Sequence, residues 1–186
     1  MMQPKKIPLL ASPNFNQRPQ DTNIDMIVLH AISLPDGEFE TTHIHDFFLN
    51  QLESTAHPSF SSLQDVKVSA HFVIARNGSI TQFVKTSDRA WHAGKSSWEG
   101  HENCNDFSIG IEIIGDERQP FTKKQYTETA RLCKTLLVQY PQIEKTRIVG
   151  HQDIAPSRKW DPGKQWDWSR FRKSLSHIKY LLDSVV

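Results

Sequence analysis

Apolar and polar positions along the chain separate into four apolar runs and two amphipathic ones. Residues 24–30, IDMIVLH, are apolar on both faces, as a strand covered on each side requires. Residues 68–84, VSAHFVIARNGSITQFV, predict two strands joined by a turn at Asn77-Gly78, a dipeptide that accepts the left-handed geometry of tight hairpins. FSIGIEIIG (107–115) is a further β-branched strand, and TRIVGH (146–151) a short one.

Helical spacing takes over in the second half. A capping box, Thr-x-x-Gln, starts at Thr122. Tyr126, Ala130, Cys133, Leu137 and Tyr140 then recur on one face until Pro141 stops the helix. Phe171, Leu175, Ile178, Leu182 and Val185 repeat the pattern, and a weaker helix is expected over about 41–52. With no repeat, low-complexity segment or linker, residues 1–186 are expected to form one α/β (α+β) domain, a mixed central β-sheet flanked by α-helices.

Composition narrows the function. The 22 basic and 21 acidic residues leave a net charge of +1, which gives no electrostatic case for nucleic acid or a membrane surface as partner. No run of about 18 apolar residues is present. The N-terminal IPLLA is too short for a secretory h-region, so a cytoplasmic protein is expected. Cys104 and Cys133 lie in no CxxC or CxxH spacing and are expected to be reduced.

Candidate chemistry concentrates at strand ends. His30 and His151 each end a strand, and Asp161 follows in the irregular stretch GHQDIAPSRKWDPG (150–163). Two imidazoles and a carboxylate suit an open zinc site, and equally a non-haem iron site. Each histidine alone reads as well as a hydrogen-bonded structural residue. Glu112 interrupts an otherwise apolar strand beside Gly110. A carboxylate there is either solvated on an open face or desolvated as a general base. Lys159, two residues before Asp161, is either a solvated loop lysine or an oxyanion partner. His43 and His45 read as surface residues, and His71 as facing either a cleft or the core.

These residues fall within a recognisable order of motifs: MIVLHAISLPDGEF, VSAHFVI, RAWHAG, NDFSIGIEI and GHQDIAPSRKWDPG. From about residue 10 to about 175 the chain resembles the AmpD-type zinc N-acetylmuramoyl-L-alanine amidases, whose fold is shared with peptidoglycan recognition proteins. The resemblance implies one zinc ion per chain on His30, His151 and Asp161. It implies Glu112 as the residue that activates water and Lys159 as the group that stabilises the tetrahedral intermediate. It further implies a muropeptide substrate, a monomer, a cytoplasmic role in peptidoglycan recycling, and Trp91 and His92 on the rim beside the sugar. Where these relatives commonly carry Asn after the first ligand, this chain has Ala31. Lys67 and Asn103 stand at stem-peptide positions often occupied by Arg, and Trp160 is unusually bulky before Asp-Pro-Gly. A non-catalytic muropeptide-binding module and an amidase of intact cell-wall peptidoglycan remain the alternatives.

Overall fold

Ile, Val and Phe in the four apolar runs favour a pleated, buried backbone, and all four runs contribute to one sheet. The computed structural model describes residues 7–178. Along the chain run β1 (Phe15–Asn16), β2 (Met26–Ile32), α1 (Thr42–Phe48), β3 (Phe72–Ile74), β4 (Ile80–Gln82), β5 (Arg89–Ala90), β6 (Ser97–Trp98), β7 (His101–Glu102), β8 (Ser108–Ile114), α2 (Lys123–Gln139), β9 (Ile148–Gly150), α3 (His151–Ile154) and α4 (Trp168–His177). The main sheet has the order β4-β3-β8-β2-β9, and β1-β5 and β6-β7 form two small ladders. Strands β3, β8, β2 and β9 are parallel, and β4 is antiparallel to β3 across the expected hairpin.

The sheet is covered on both faces. On one, Ile27, Leu29, Ile109, Ile111, Ile113 and Ile148 pack against Tyr126, Ala130, Cys133 and Leu136 of α2 and Phe171 and Leu175 of α4. Full burial of each large apolar side chain contributes about 1.5–3 kcal/mol. On the other face, Met26 and Val28 meet Ala93, Cys104, Val149 and Ile154. Beside them α1 contributes Ile44, Phe47 and Phe48 to a cluster with Phe60, Val73, Phe83 and Ile114.

Helix α2 begins where its sequence says. The Thr122 hydroxyl accepts from Gln125 N–H, and Thr122 N–H donates to Gln125 Oε1 at 2.9 Å. Gln125 has a second task that its capping role conceals: its Nε2 donates to the Ile114 carbonyl at 2.7 Å, closing the end of β8 from within the core.

Several expectations change. Helix α1 ends at Phe48 rather than near 52, because Asn50 takes a left-handed φ of 58°. The Asn50 and Asn14 side-chain amides bond reciprocally at 2.8 and 3.0 Å, which holds that stop in place. His43 and His45 are not surface residues but half-buried, edge-on to Phe60 and Phe83. Helix α4 starts earlier than the apolar pattern suggested, capped by Asp167, whose carboxylate accepts from Arg170 N–H. Leu182 and Val185 lie outside the described residues.

Thr122→Ala is expected to cost about 1 kcal/mol, the usual loss of a helix cap. Gln125→Leu is expected to cost more, about 1–3 kcal/mol beyond the cap, because it also strands the Ile114 carbonyl. Urea denaturation midpoints of the two variants check the order.

Candidate active site

The site is built by parallel register. In β2 and β8, His30 pairs with Glu112, Val28 with Gly110 and Met26 with Ser108. Side chains of paired residues emerge on the same face, so a histidine and a carboxylate stand side by side near the ends of two strands. Leu29 pairs with Gly150 of β9, so the next residue, His151, arrives beside His30. His151 does not end the strand as expected; it opens the single turn of α3. The loop beyond α3 returns to the same point, held by Gln152 N–H donating to the Asp161 carbonyl at 2.8 Å.

His30, His151 and Asp161 therefore converge, all three buried, with one ligand atom of each within 4.8 Å of the others. The two Nδ1 atoms are 2.9 Å apart, and Asp161 Oδ2 lies 3.2 Å from His30 Nδ1 and 3.1 Å from His151 Nδ1. His151 Nε2 faces the Ala93 carbonyl at 3.0 Å, and a carbonyl only accepts, so this nitrogen carries the proton. In the neutral ring Nδ1 is then a bare lone pair, aimed at another ring nitrogen and a carboxylate oxygen. Three donor atoms facing one another across so short a distance need a cation between them. This is the observation by which the residues fit a metal ion.

Charge around the trio is graded. Burial, together with the neighbouring His151, lowers the His30 pKa to about 4. Burial works to raise the Asp161 pKa, but contacts with His151 and His30 outweigh it and hold the carboxyl below the ordinary range. Glu112 Oε1 lies 3.9 Å from His30 Nδ1. Glu112 Oε2 is buried with no hydrogen-bond partner among the described residues. Burial first, then Asp161, pushes the Glu112 pKa well above the usual carboxylate range, while Lys159 opposes the rise. Lys159 also acts on His30, so its charge is felt at both positions.

The other candidates are placed differently. His92 is not on a rim: it is 8% exposed and packed edge-on against His30, with ring centroids 5.1 Å apart. Trp91 is half-buried, its indole N–H donating to Asn16 Oδ1 at 2.7 Å. Exposed Lys67 borders a small hollow with Phe47, Asn50 and Phe60 that shares no residue with the trio. Asn103 is exposed at a turn with φ 58°. Ala31 packs against the α2 side of the sheet. Trp160 lies flat over Gly163, whose φ of +74° and missing side chain make room for it. Its open side lines a hollow with Asp36, Glu117 and Arg118.

Four supporting residues were missed as such. Asn105 Oδ1 accepts from the N–H groups of His92 and Ala93 at 3.0 and 2.7 Å. Ser108 meets His92 Nε2 at 3.3 Å. Arg158 donates to the carbonyls of Ala93 and Lys95 at 2.7 and 2.8 Å. Arg18 donates to the carbonyls of Asn105, Asp106 and Ser108 behind the site. His71 proves to be core: its Nδ1 accepts from Gly110 N–H, and burial followed by Arg18 lowers its pKa to about 3. Arg18, Asn105 and Arg158 lie outside the strands and helices and carry no periodic signal, and Ser108 reads as the first polar position of an apolar strand.

Gly110 sits between Ser108 and Glu112, and a Cβ there would lie 2.4 Å from His92 Cγ. Gly110→Ala is therefore expected to destabilise the protein by about 1–3 kcal/mol as an overpacked core does and to weaken metal uptake by displacing His92. Thermal melts with and without added metal check both effects.

Comparison with known proteins agrees with this geometry. The family model described as N-acetylmuramoyl-L-alanine amidase matches residues 20–164. The 1,6-anhydro-N-acetylmuramyl-L-alanine amidase AmpD of Haemophilus influenzae is 48% identical over 166 residues, 89% of this chain and 90% of the relative. A crystal structure of a Se-Met AmpD derivative superposes with a TM-score of 0.88 at 44% identity, covering 91% of this chain and 94% of that one. The Escherichia coli amidase AmiD, solved in complex with the substrate anhydro-N-acetylmuramic acid-L-Ala-D-gamma-Glu-L-Lys, superposes with a TM-score of 0.61 at 28% identity, covering 85% of this chain and 60% of that one. With two parallel strands, the turn after a third and a returning loop bringing two imidazoles and two carboxylates to one point, and a family match spanning all of them, the chain belongs to the N-acetylmuramoyl-L-alanine amidases, hydrolases of carbon–nitrogen amide bonds.

Proposed function

We propose that the chain is a zinc-dependent amidase of peptidoglycan recycling. It hydrolyses the amide between the lactyl group of (1,6-anhydro-)N-acetylmuramic acid and the L-alanine of muropeptides. The observation that carries the reading is the convergence of His30, His151 and Asp161 with Glu112 Oε1 3.9 Å from His30. The anhydro preference is supported by the AmpD relatives and by the anhydro-muropeptide bound to AmiD. Cys104 and Cys133 are free and buried, which suits a reducing compartment such as the cytoplasm.

Two imidazoles and a carboxylate leave one coordination position open, as catalytic zinc requires. When bound, zinc supplies a Lewis acid that makes water more acidic and polarises the substrate carbonyl. The protein side chains handle the protons. Glu112, with a buried oxygen that has no partner among the described residues, accepts the proton of the attacking water. Lys159 opposes the rise that burial and Asp161 impose on its pKa. Lys159 donates to the oxygen of the tetrahedral intermediate, where charge develops. Glu112 then returns its proton to the departing amine of L-alanine, which leaves as the carbon–nitrogen bond breaks. Intact metal ligands and an acidic residue beside them favour an enzyme over a binding module.

Zinc-loaded protein is expected to release free stem peptide from anhydro-muropeptides, read by mass. Chelation is expected to abolish release, and zinc to restore it. Metal analysis showing iron instead of zinc overturns the cofactor. Glu112→Gln is expected to bind metal and to lose turnover. Lys159→Ala is expected to fall by about 10²–10³-fold in kcat, the scale of one lost oxyanion donor. Wild-type rates in either variant overturn the role given to that residue.

A further inference from the structure

The zinc reading needs His30 to present a bare Nδ1, so its proton must sit on Nε2. That atom lies 3.0 Å from His92 Nδ1, and which of the two donates is decided two links away. Ser108 Oγ makes a short hydrogen bond to the Cys104 carbonyl, which only accepts, so the hydroxyl proton is committed there. Ser108 Oγ therefore faces His92 Nε2 at 3.3 Å as an acceptor, and His92 carries its proton on Nε2. With that proton on Nε2, the remaining ring nitrogen, Nδ1, is the lone pair that faces His30 Nε2. His30 Nε2–H is then the donor.

We propose that the segment His92–Ala93 positions both imidazole ligands. The His92 ring, backed by Ser108 and the Cys104 carbonyl, holds His30 in its Nε2-protonated form, and the Ala93 carbonyl does the same for His151. The segment is itself fixed, because Asn105 Oδ1 accepts from both of its N–H groups. Gly110 leaves the space in which the His92 ring lies. His92 is thus a positioning residue, acting through His30. Neither of its ring nitrogens is left for substrate. This inference rests on the metal reading above, and it goes beyond it by naming what orients the ligands.

The test compares zinc affinity, measured by competition with a chromophoric chelator, in His92→Leu and His92→Asn. His92→Leu removes the acceptor and is expected to lose about 10–100-fold in affinity, the range for groups that orient a metal-bound histidine. His92→Asn places a carbonyl oxygen near the former Nδ1 and is expected to restore most of that loss. Equal affinities in folded His92→Leu and wild type, or equal losses in both variants, overturn the proposal. Should His92→Leu fail to fold, long-range proton–nitrogen NMR of the wild type decides. The expected result is Nε2–H on His30, His92 and His151, with His92 neutral. A proton on His92 Nδ1 overturns the relay. If the wild type binds no zinc, the metal reading fails, while the His92 tautomer is still read in the metal-free protein.

Discussion

The parallel pairing of β2 with β8 is the constraint on which the site depends. It sets His30 against Glu112, Val28 against Gly110 and Met26 against Ser108. A slip of one residue would turn His30 and Glu112 to opposite faces and bury one of them against α2. The register is held by the aliphatic side chains of the opposite face. Ile27, Leu29, Ile109, Ile111 and Ile113 fit beneath α2 and α4 only in this phase. Hydrophobic burial on one side of the sheet thus positions polar chemistry on the other. The two faces of β8 divide the labour cleanly: its odd-numbered isoleucines hold the sheet, and Ser108, Gly110 and Glu112 serve the site.

Around that register the polar groups form layers. Outermost are Lys159 and the half-buried Glu112; next come the converging His30, His151 and Asp161. Behind them lie His92 and His71, with ring centroids 5.7 Å apart, and behind these the half-buried Arg18. Burial keeps the inner histidines uncharged, so each can both donate and accept. A charged ring at either position would confront Arg18 or a metal ion without a counter-charge. The arrangement is a polar interior satisfied by direction rather than by ion pairing.

Much of this was legible from the chain. The β-branched runs and the Asn77-Gly78 turn predict all five strands of the main sheet, because strand periodicity and turn chemistry are local. His30, Glu112, His151, Asp161 and Lys159 stood out because each violates its local pattern or sits in a loop too rich in chemistry. What stayed hidden depends on contacts far apart in sequence. The rim position of His92 was implied by the family resemblance, and nothing local in the sequence reveals that Gly110 makes room for the ring inside. Asn105, Ser108 and Arg158 are ordinary polar residues until the fold brings them to positions 92 and 93. The end of α1 was missed because its stop is a left-handed Asn50 held by distant Asn14.

The ligand set also has a meaning for folding. His30 and Asp161 are separated by 131 positions, so an ion held by both closes a loop over most of the chain. Like a disulfide, such a cross-link removes conformations from the unfolded ensemble. Unlike one, its strength follows the concentration of free ion in the surroundings. Were the trio to hold an ion, the population of folded protein would be coupled to metal supply.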